Sequence, residues 1–155
     1  MVIIMKTIIL FILLTITVLS QTKLSINPGI KLGIAFGEKT QFIFGTEVSF
    51  VFYNLRQDLD QRIGIVIDYD GIDNVERLHF GIEYMYRAVG IDIGPTFALK
   101  DSETHYGFSI IPFGGVFILP YLNYTNIEGF KDQFDFGTYL KLPIPLSKEH
   151  FSIGG

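Results

Sequence analysis

The chain contains no cysteine and no tryptophan. Without thiols there is no disulfide staple, no Cys-ligated zinc and no thiol nucleophile, so an exported domain of this size must hold together by strand pairing and burial alone. No cysteine follows the first apolar run, which argues against a lipid-anchored lipoprotein. Basic residues are also scarce. Twelve Lys and Arg face 16 Asp and Glu over 155 residues, and that mild acidity argues against nucleic acid as a partner, which would call for a basic stripe. A last absence concerns periodicity. After residue 20 no segment carries apolar residues at the spacing of a helix.

What is present begins with an address label. Lys6 precedes TIILFILLTITVLS, an apolar run that ends in small and polar residues, and Met5 makes MKTIILF a plausible start. A positive segment, a short apolar stretch and a cleavage point after Ser20 describe a signal peptide over residues 1–20, leaving residues 21–155 as the mature domain. The alternative, an uncleaved anchor, would need a spanning helix of about 20 residues, and the run is short for that. Removing Lys6 leaves eleven basic residues against 16 acidic ones, a net charge of about −5.

The mature chain alternates with a period of two. In QFIFGTEVSFVFY, residues 41–53, Phe42, Phe44, Val48, Phe50 and Phe52 share one face while Gly45, Glu47 and Ser49 share the other. The same pattern predicts strands over 29–37, 62–70, 76–87, 91–100, 105–112 and 134–142, with 116–124 as a further strand of unreadable register. DGIDN reads as a turn, AVG as a tight turn and NYTNIEGFKDQ as the longest polar interval. Pro95 suggests an edge, a bulge or a strand end, because proline cannot donate to the ladder.

Glycine decides which face is inside. On seven of the eight strands a glycine lies opposite the large apolar residues: Gly33, Gly45, Gly64, Gly81, Gly94, Gly107 and Gly137. A solvent-facing row of glycines would weaken strands for no gain, whereas in an eight-stranded barrel small residues make room for larger luminal neighbours. The polar face therefore points inward, and the expected fold is all-β, an eight-stranded antiparallel up-and-down transmembrane β-barrel. Lys31, Glu47, Arg62, Asp68, Glu83, Arg87, Asp92 and Lys141 are the expected luminal charges, pairing with one another as buried charges must. The Phe, Ile, Leu and Tyr face then meets membrane lipid, with Tyr53, Tyr69, Tyr84, Tyr86, Tyr106 and Tyr124 near strand ends, where aromatic girdles sit. The alternative is an exported soluble barrel whose Phe face lines a cavity for a small apolar ligand.

In these features the chain resembles the small eight-stranded outer-membrane β-barrel proteins of Gram-negative bacteria. The resemblance covers residues 29–142 and rests on the signal peptide, the short turns and the strands PGIKLGIAFG, FIFGTEVSFVFY, LHFGIEYMY and FDFGTYLKL. It implies insertion in the outer membrane and a structural or surface-interaction role. Such proteins usually close on a strand ending in an aromatic residue and carry longer outer loops, whereas this chain ends SIGG. Either the closing strand is completed elsewhere or its signal lies around Phe134 to Leu142. The early Gly-x-Trp of lipocalin-like soluble barrels cannot occur without tryptophan.

Chemistry-bearing residues are few. His79 and Glu83 share a face but stand about 13 Å apart at a rise of roughly 3.3 Å per residue, too far to bind one metal. His105 with Asp101, Ser102 and Glu103 could suggest hydrolase or acyl-transfer chemistry, although polar loops gather such residues by chance. No cofactor, metal or catalytic residue is expected, and no enzyme activity. No protein partner or ligand can be named. If residues 1–20 are a cleaved signal, intact-mass measurement of the exported protein will give a chain beginning near Gln21, and a mass that retains the first twenty residues would refute cleavage.

Overall fold

A computed structural model describes residues 22–37, 39–54 and 61–146. The expected signal peptide and its cleavage point lie outside the described residues. Eight long strands follow one another without a helix among the described residues: β1 (Thr22–Phe36), β2 (Thr40–Asn54), β3 (Gln61–Ile72), β4 (Val75–Tyr86), β5 (Val89–Lys100), β6 (Glu103–Gly114), β7 (Ile118–Ile127) and β8 (Gln133–Lys141), with a two-residue β9 (Ile144–Pro145) after them. Each strand pairs antiparallel with the next, and β1 pairs with both β2 and β8, which closes the sheet.

β9 is not an extra stave. Gly29 faces Lys141, the Leu142 amide donates to the Pro28 carbonyl, Ile26 faces Ile144 and Ser25 faces Pro145, so β8 and β9 run along β1 in one register. The segment divides only at Pro143, which has no amide hydrogen to give. PIPL therefore pairs with the first half of β1, a half that the Asn27-Pro28 step disguises as a turn in the sequence.

The register fixes the barrel's shape. Walking around the outer face from Ile26 leads through Phe50, Ile65, Ile82, Ile93, Ile110, Tyr124 and Phe134, and returns to β1 at Phe36, ten residues beyond its start. That stagger over eight strands about 4.8 Å apart tilts the strands by roughly 40°. Every residue on this walk is apolar.

Three departures from the sequence expectation have local causes. Arg87 is in the exposed turn between β4 and β5 at φ 56°, so it leaves the strand and the lumen. β3 and β4 extend to a two-residue turn at Asp73 and Asn74, shorter than the five-residue turn read at DGIDN, and β7 continues through NYTNI, where a polar interval was expected. Pro95 lies inside β5, facing outward, and the β4–β5 ladder lacks the pairs at that level; the β6–β7 ladder has a similar gap at Pro112. Closure provides enough flanking pairs to tolerate each interruption.

The inward glycines sit where strands or side chains approach closely. A Cβ at Gly94 would collide with the Phe80 carbonyl oxygen and lie 2.9 Å from the Gly81 Cα. Gly33 faces Gly137 across the closing seam, and the Tyr121 hydroxyl would sit 2.5 Å from a Cβ at Gly33. These two glycines make room for the tyrosine. Gly94→Ala should accordingly lower unfolding stability by about 1–3 kcal/mol, the usual cost of overpacking. Gly71→Ala has nothing within 4 Å of its new methyl and should be neutral or stabilising by up to about 1 kcal/mol. Urea midpoints of the two variants check this, and equal effects would remove the packing explanation.

Candidate functional site in the barrel interior

Alternation places charge inside. Lys31, Arg77 and Lys141 are buried with Glu47, Asp68, Asp70, Glu83, Asp92 and Asp135, three cations among six carboxylates. Six of the eight charges expected from the sequence are brought into this set. Arg62 is half-buried, opposite Met85 in the register, and Arg87 is exposed, with its guanidinium 5.4 Å from the Tyr86 ring.

Ion pairs link strands that are far apart in sequence. Lys31 on β1 donates to Asp68 Oδ2 at 2.6 Å and to Asp70 Oδ2 at 2.5 Å, both on β3. Arg77 on β4 grips Asp70 through Nε and Nη2 at 2.7 and 3.0 Å, and its Nη2 also donates to Asp135 Oδ2 on β8 at 2.8 Å. The two-pronged contact matches the planar guanidinium fork. Tyr139 donates its hydroxyl proton to Asp68 at 3.0 Å. Donors other than cations thus make up part of the shortfall in positive charge.

From Asp135 the bonding continues around the wall. Asn123 Nδ2 donates to Asp135 Oδ2 at 2.9 Å, and Thr125 Oγ1 donates to Asn123 Oδ1 at 3.1 Å. Ser109 lies 2.9 Å from Thr125, Thr96 lies 2.6 Å from Ser109, and His79 Nδ1 lies 2.9 Å from Thr96. His79 Nε2 meets Asp92 Oδ2 at 3.1 Å. One belt of side chains therefore runs through β1, β3, β4, β8, β7, β6 and β5.

Below the belt the lumen is plugged. Met85, Ile111, Phe113, Leu119, Tyr121 and Tyr139 form an apolar cluster, the two tyrosine rings with centroids 4.6 Å apart. Lys31 Nζ stands 5.3 Å from the Tyr121 ring and 5.6 Å from the Tyr139 ring, and Lys141 Nζ stands 5.2 Å from the Tyr139 ring, so Tyr139 lies near both ammonium groups. Lys141 pairs with Glu47 and, at 3.5 Å, with Glu83. His79 and Glu83, too far apart for one metal by strand spacing, are each committed to a different partner. Among the described residues no group of His, Asp and Glu could hold a metal ion.

The Asp–His–hydroxyl geometry invites comparison with a catalytic relay, but the cavity that touches His79 measures about 10 Å³, room for a single water molecule. A larger vestibule of about 820 Å³ opens at the end of the β1–β2, β3–β4, β5–β6 and β7–β8 turns, with Arg77 at its base. Lys39, Asp73, Lys100, Glu103, His105 and Phe130 are part of its wall. His105, the hydrolase candidate, stacks edge-on against Phe130 at 4.9 Å, and Lys100 Nζ lies 5.7 Å from that ring. The Phe face of β2 does not line a cavity: Phe42 and Phe44 are exposed on the outer wall.

Asp70, Arg77, Asn123, Thr125 and Asp135 were not among the expected site residues. Asp70, Arg77 and Asp135 fall on the glycine face of their strands, so parity was their signal, whereas Asn123 and Thr125 lie on β7, which contains no glycine and whose register could not be read.

No family model matches the chain, and no curated protein matches it. Among solved structures it is similar to one described as the solution NMR structure of de novo designed TMB2.3, with a TM-score of 0.49 and 10% identity, covering 77% of this chain and 95% of that one.

Removing one member of a buried ion pair leaves its partner's charge stranded, at a cost of about 3–5 kcal/mol. Arg77→Met leaves Asp135 without a cation and Asp70 with Lys31 alone, and should fall in that range. Lys39→Met, at the rim of the vestibule, should change stability by under about 0.5 kcal/mol. Equal unfolding midpoints for the two variants would show that the belt does not carry stability.

Proposed function

We propose that the chain is an exported outer-membrane β-barrel protein with a structural or surface-interaction role and no catalytic activity. The observation that carries this reading is the inverted distribution of side chains. Phe42 and Ile82 are each 66% exposed on the outside, whereas Lys31 and Arg77 are 1% and 3% exposed inside. Water would penalise that outer surface and lipid rewards it; a closed barrel also leaves no backbone edge unpaired in the hydrocarbon.

Two further features support the reading. Outward tyrosines gather toward both ends, Tyr84 and Tyr86 toward the chain termini and Tyr69, Tyr106 and Tyr124 toward the vestibule, as interfacial girdles would; Tyr53, expected among them, instead takes the inner-face parity of Val51 and stands opposite Arg62. The plugged lumen argues for a role at the surface, since the apolar cluster and the belt fill the path a solute would take. The vestibule is then the part of the molecule open to a partner or small ligand. The alternative of a soluble carrier for an apolar ligand loses its cavity, because the Phe face that would line it is the outer wall.

Vesicle insertion tests this directly. Phe44→Arg and Phe80→Arg place a charge on the lipid face and should each cost roughly 2–4 kcal/mol, with insertion impaired in proportion. Glu47→Gln keeps an oxygen for Lys141 and should insert like the parent. A protein that stays folded and soluble without detergent, and is indifferent to both arginines, would overturn the membrane reading.

A further inference from the structure

We propose that the small cavity inside the belt is the binding site of one structural water molecule, which accepts a hydrogen bond from Arg77 Nη1, donates one to Asp68 Oδ1 and ties the two sides of the lumen together. The inference goes beyond the membrane reading and holds whatever surrounds the outer wall. Two buried atoms mark the site. Asp68 Oδ1 and Arg77 Nη1 have no hydrogen-bond partner among the described residues, and an unpaired polar group away from water is costly, a charged one most of all. The other buried side-chain atoms in that condition belong to Asn27, Glu47, Asp92, Tyr121 and Asp135, none of which lines the inner cavity; Asp68 and Arg77 both do.

The rest of each side chain is already committed. Arg77 spends Nε and Nη2 on Asp70 and Asp135, and Asp68 Oδ2 receives Lys31 and Tyr139. Arg77 lines both the vestibule and the inner cavity, but its Nη1 is buried, so vestibule solvent does not reach that nitrogen. In the β3–β4 register Arg77 faces Asp70 and His79 faces Asp68, which makes Arg77 and Asp68 diagonal neighbours on the inner face. Long side chains meet across that separation.

Size and sign decide what fits between them. At about 10 Å³ the cavity admits one particle the size of water. A monovalent cation would suit Asp68 Oδ1 but face the N–H groups of Arg77, and a halide would suit Arg77 but face the carboxylate. Water both donates and accepts, so it satisfies the two atoms at once. The lining also sets Lys31 and Arg77 against Asp68 and Asp70, two cations against two carboxylates, which favours a neutral occupant. Thr96 and Ser109 border the same space. A hydroxyl has one hydrogen and two lone pairs; Thr96 uses two of these positions on His79 and Ser109, and Ser109 uses two on Thr96 and Thr125, so each keeps one for the water. A third bond to either hydroxyl gives the water the usual number for a buried molecule. The belt joins the ion pairs to these hydroxyls the long way round, through Asp135, Asn123 and Thr125, and the water is a direct spoke from β3 and β4 to β5 or β6.

The test locates the occupant in the unaltered protein. A crystal structure of the folded barrel, at a resolution that shows ordered water, should contain a single peak within about 2.7–3.2 Å of both Arg77 Nη1 and Asp68 Oδ1. Crystals grown with rubidium bromide in place of sodium chloride separate the possible occupants, because both of those ions scatter anomalously and water does not. The peak should persist there without an anomalous signal. Absence of a peak, a peak in contact with one of the two atoms alone, or an anomalous signal in the cavity would each overturn the proposal, the last in favour of an ion site.

Discussion

Burial of charge away from bulk water is the constraint on which this barrel depends. An ionised group inside must find its counter-ion across the lumen, and whether it can is a matter of diameter. Eight staves with a ten-residue stagger give an interior narrow enough for Lys31 to reach β3 and for Arg77 on β4 to reach Asp135 on β8. A slip of one residue would exchange the two faces of a strand. It would turn Lys31 outward and bring Ile30 or Leu32 into the belt. The ion pairs and the apolar outer wall thus enforce the same register from opposite sides.

The interior is divided along its length. Toward the termini, aromatic and aliphatic side chains fill the space and two lysines rest on tyrosine rings; toward the turns, hydrogen-bonded polar groups take over, and above them the wall opens into the vestibule. Gly33 and Gly137 hold the two regimes together, since the space they leave lets Tyr121 reach the base of the belt. Small residues on the inner face are therefore as much a part of the site as the charged ones.

Much of this was legible in the chain. Two-residue alternation located the eight strands, and the inward glycines identified the luminal face and, with it, Lys31, Glu47, Asp68, Glu83, Asp92 and Lys141. What escaped did so for local reasons. Arg87 kept the parity of its strand on paper, but the backbone turned one residue early. Asp70 and Arg77 flank an Asp-Gly and an Asp-Asn step whose turn chemistry masked two more pairs of ladder, and Asn123 and Thr125 have polar or aromatic outward neighbours that blur the contrast between faces. Which acid pairs with which cation was not legible, because partners such as Lys31 and Asp68, 37 residues apart, or Arg77 and Asp135, 58 apart, are brought together by closure.

The position of β8 has a temporal consequence. It is the last long strand made, and it delivers Asp135, Tyr139 and Lys141 together. A nascent chain that has reached only β7 holds Arg77 with one of its two carboxylates, Asp68 without the Tyr139 hydroxyl, and Glu47 and Glu83 with no ammonium group at all. The unfinished molecule differs from the finished one in which charges have partners as well as in its open edge. β8 adds one acid and one cation, so it leaves the net charge of the interior unchanged and supplies the missing counter-ions in the same step that closes the barrel.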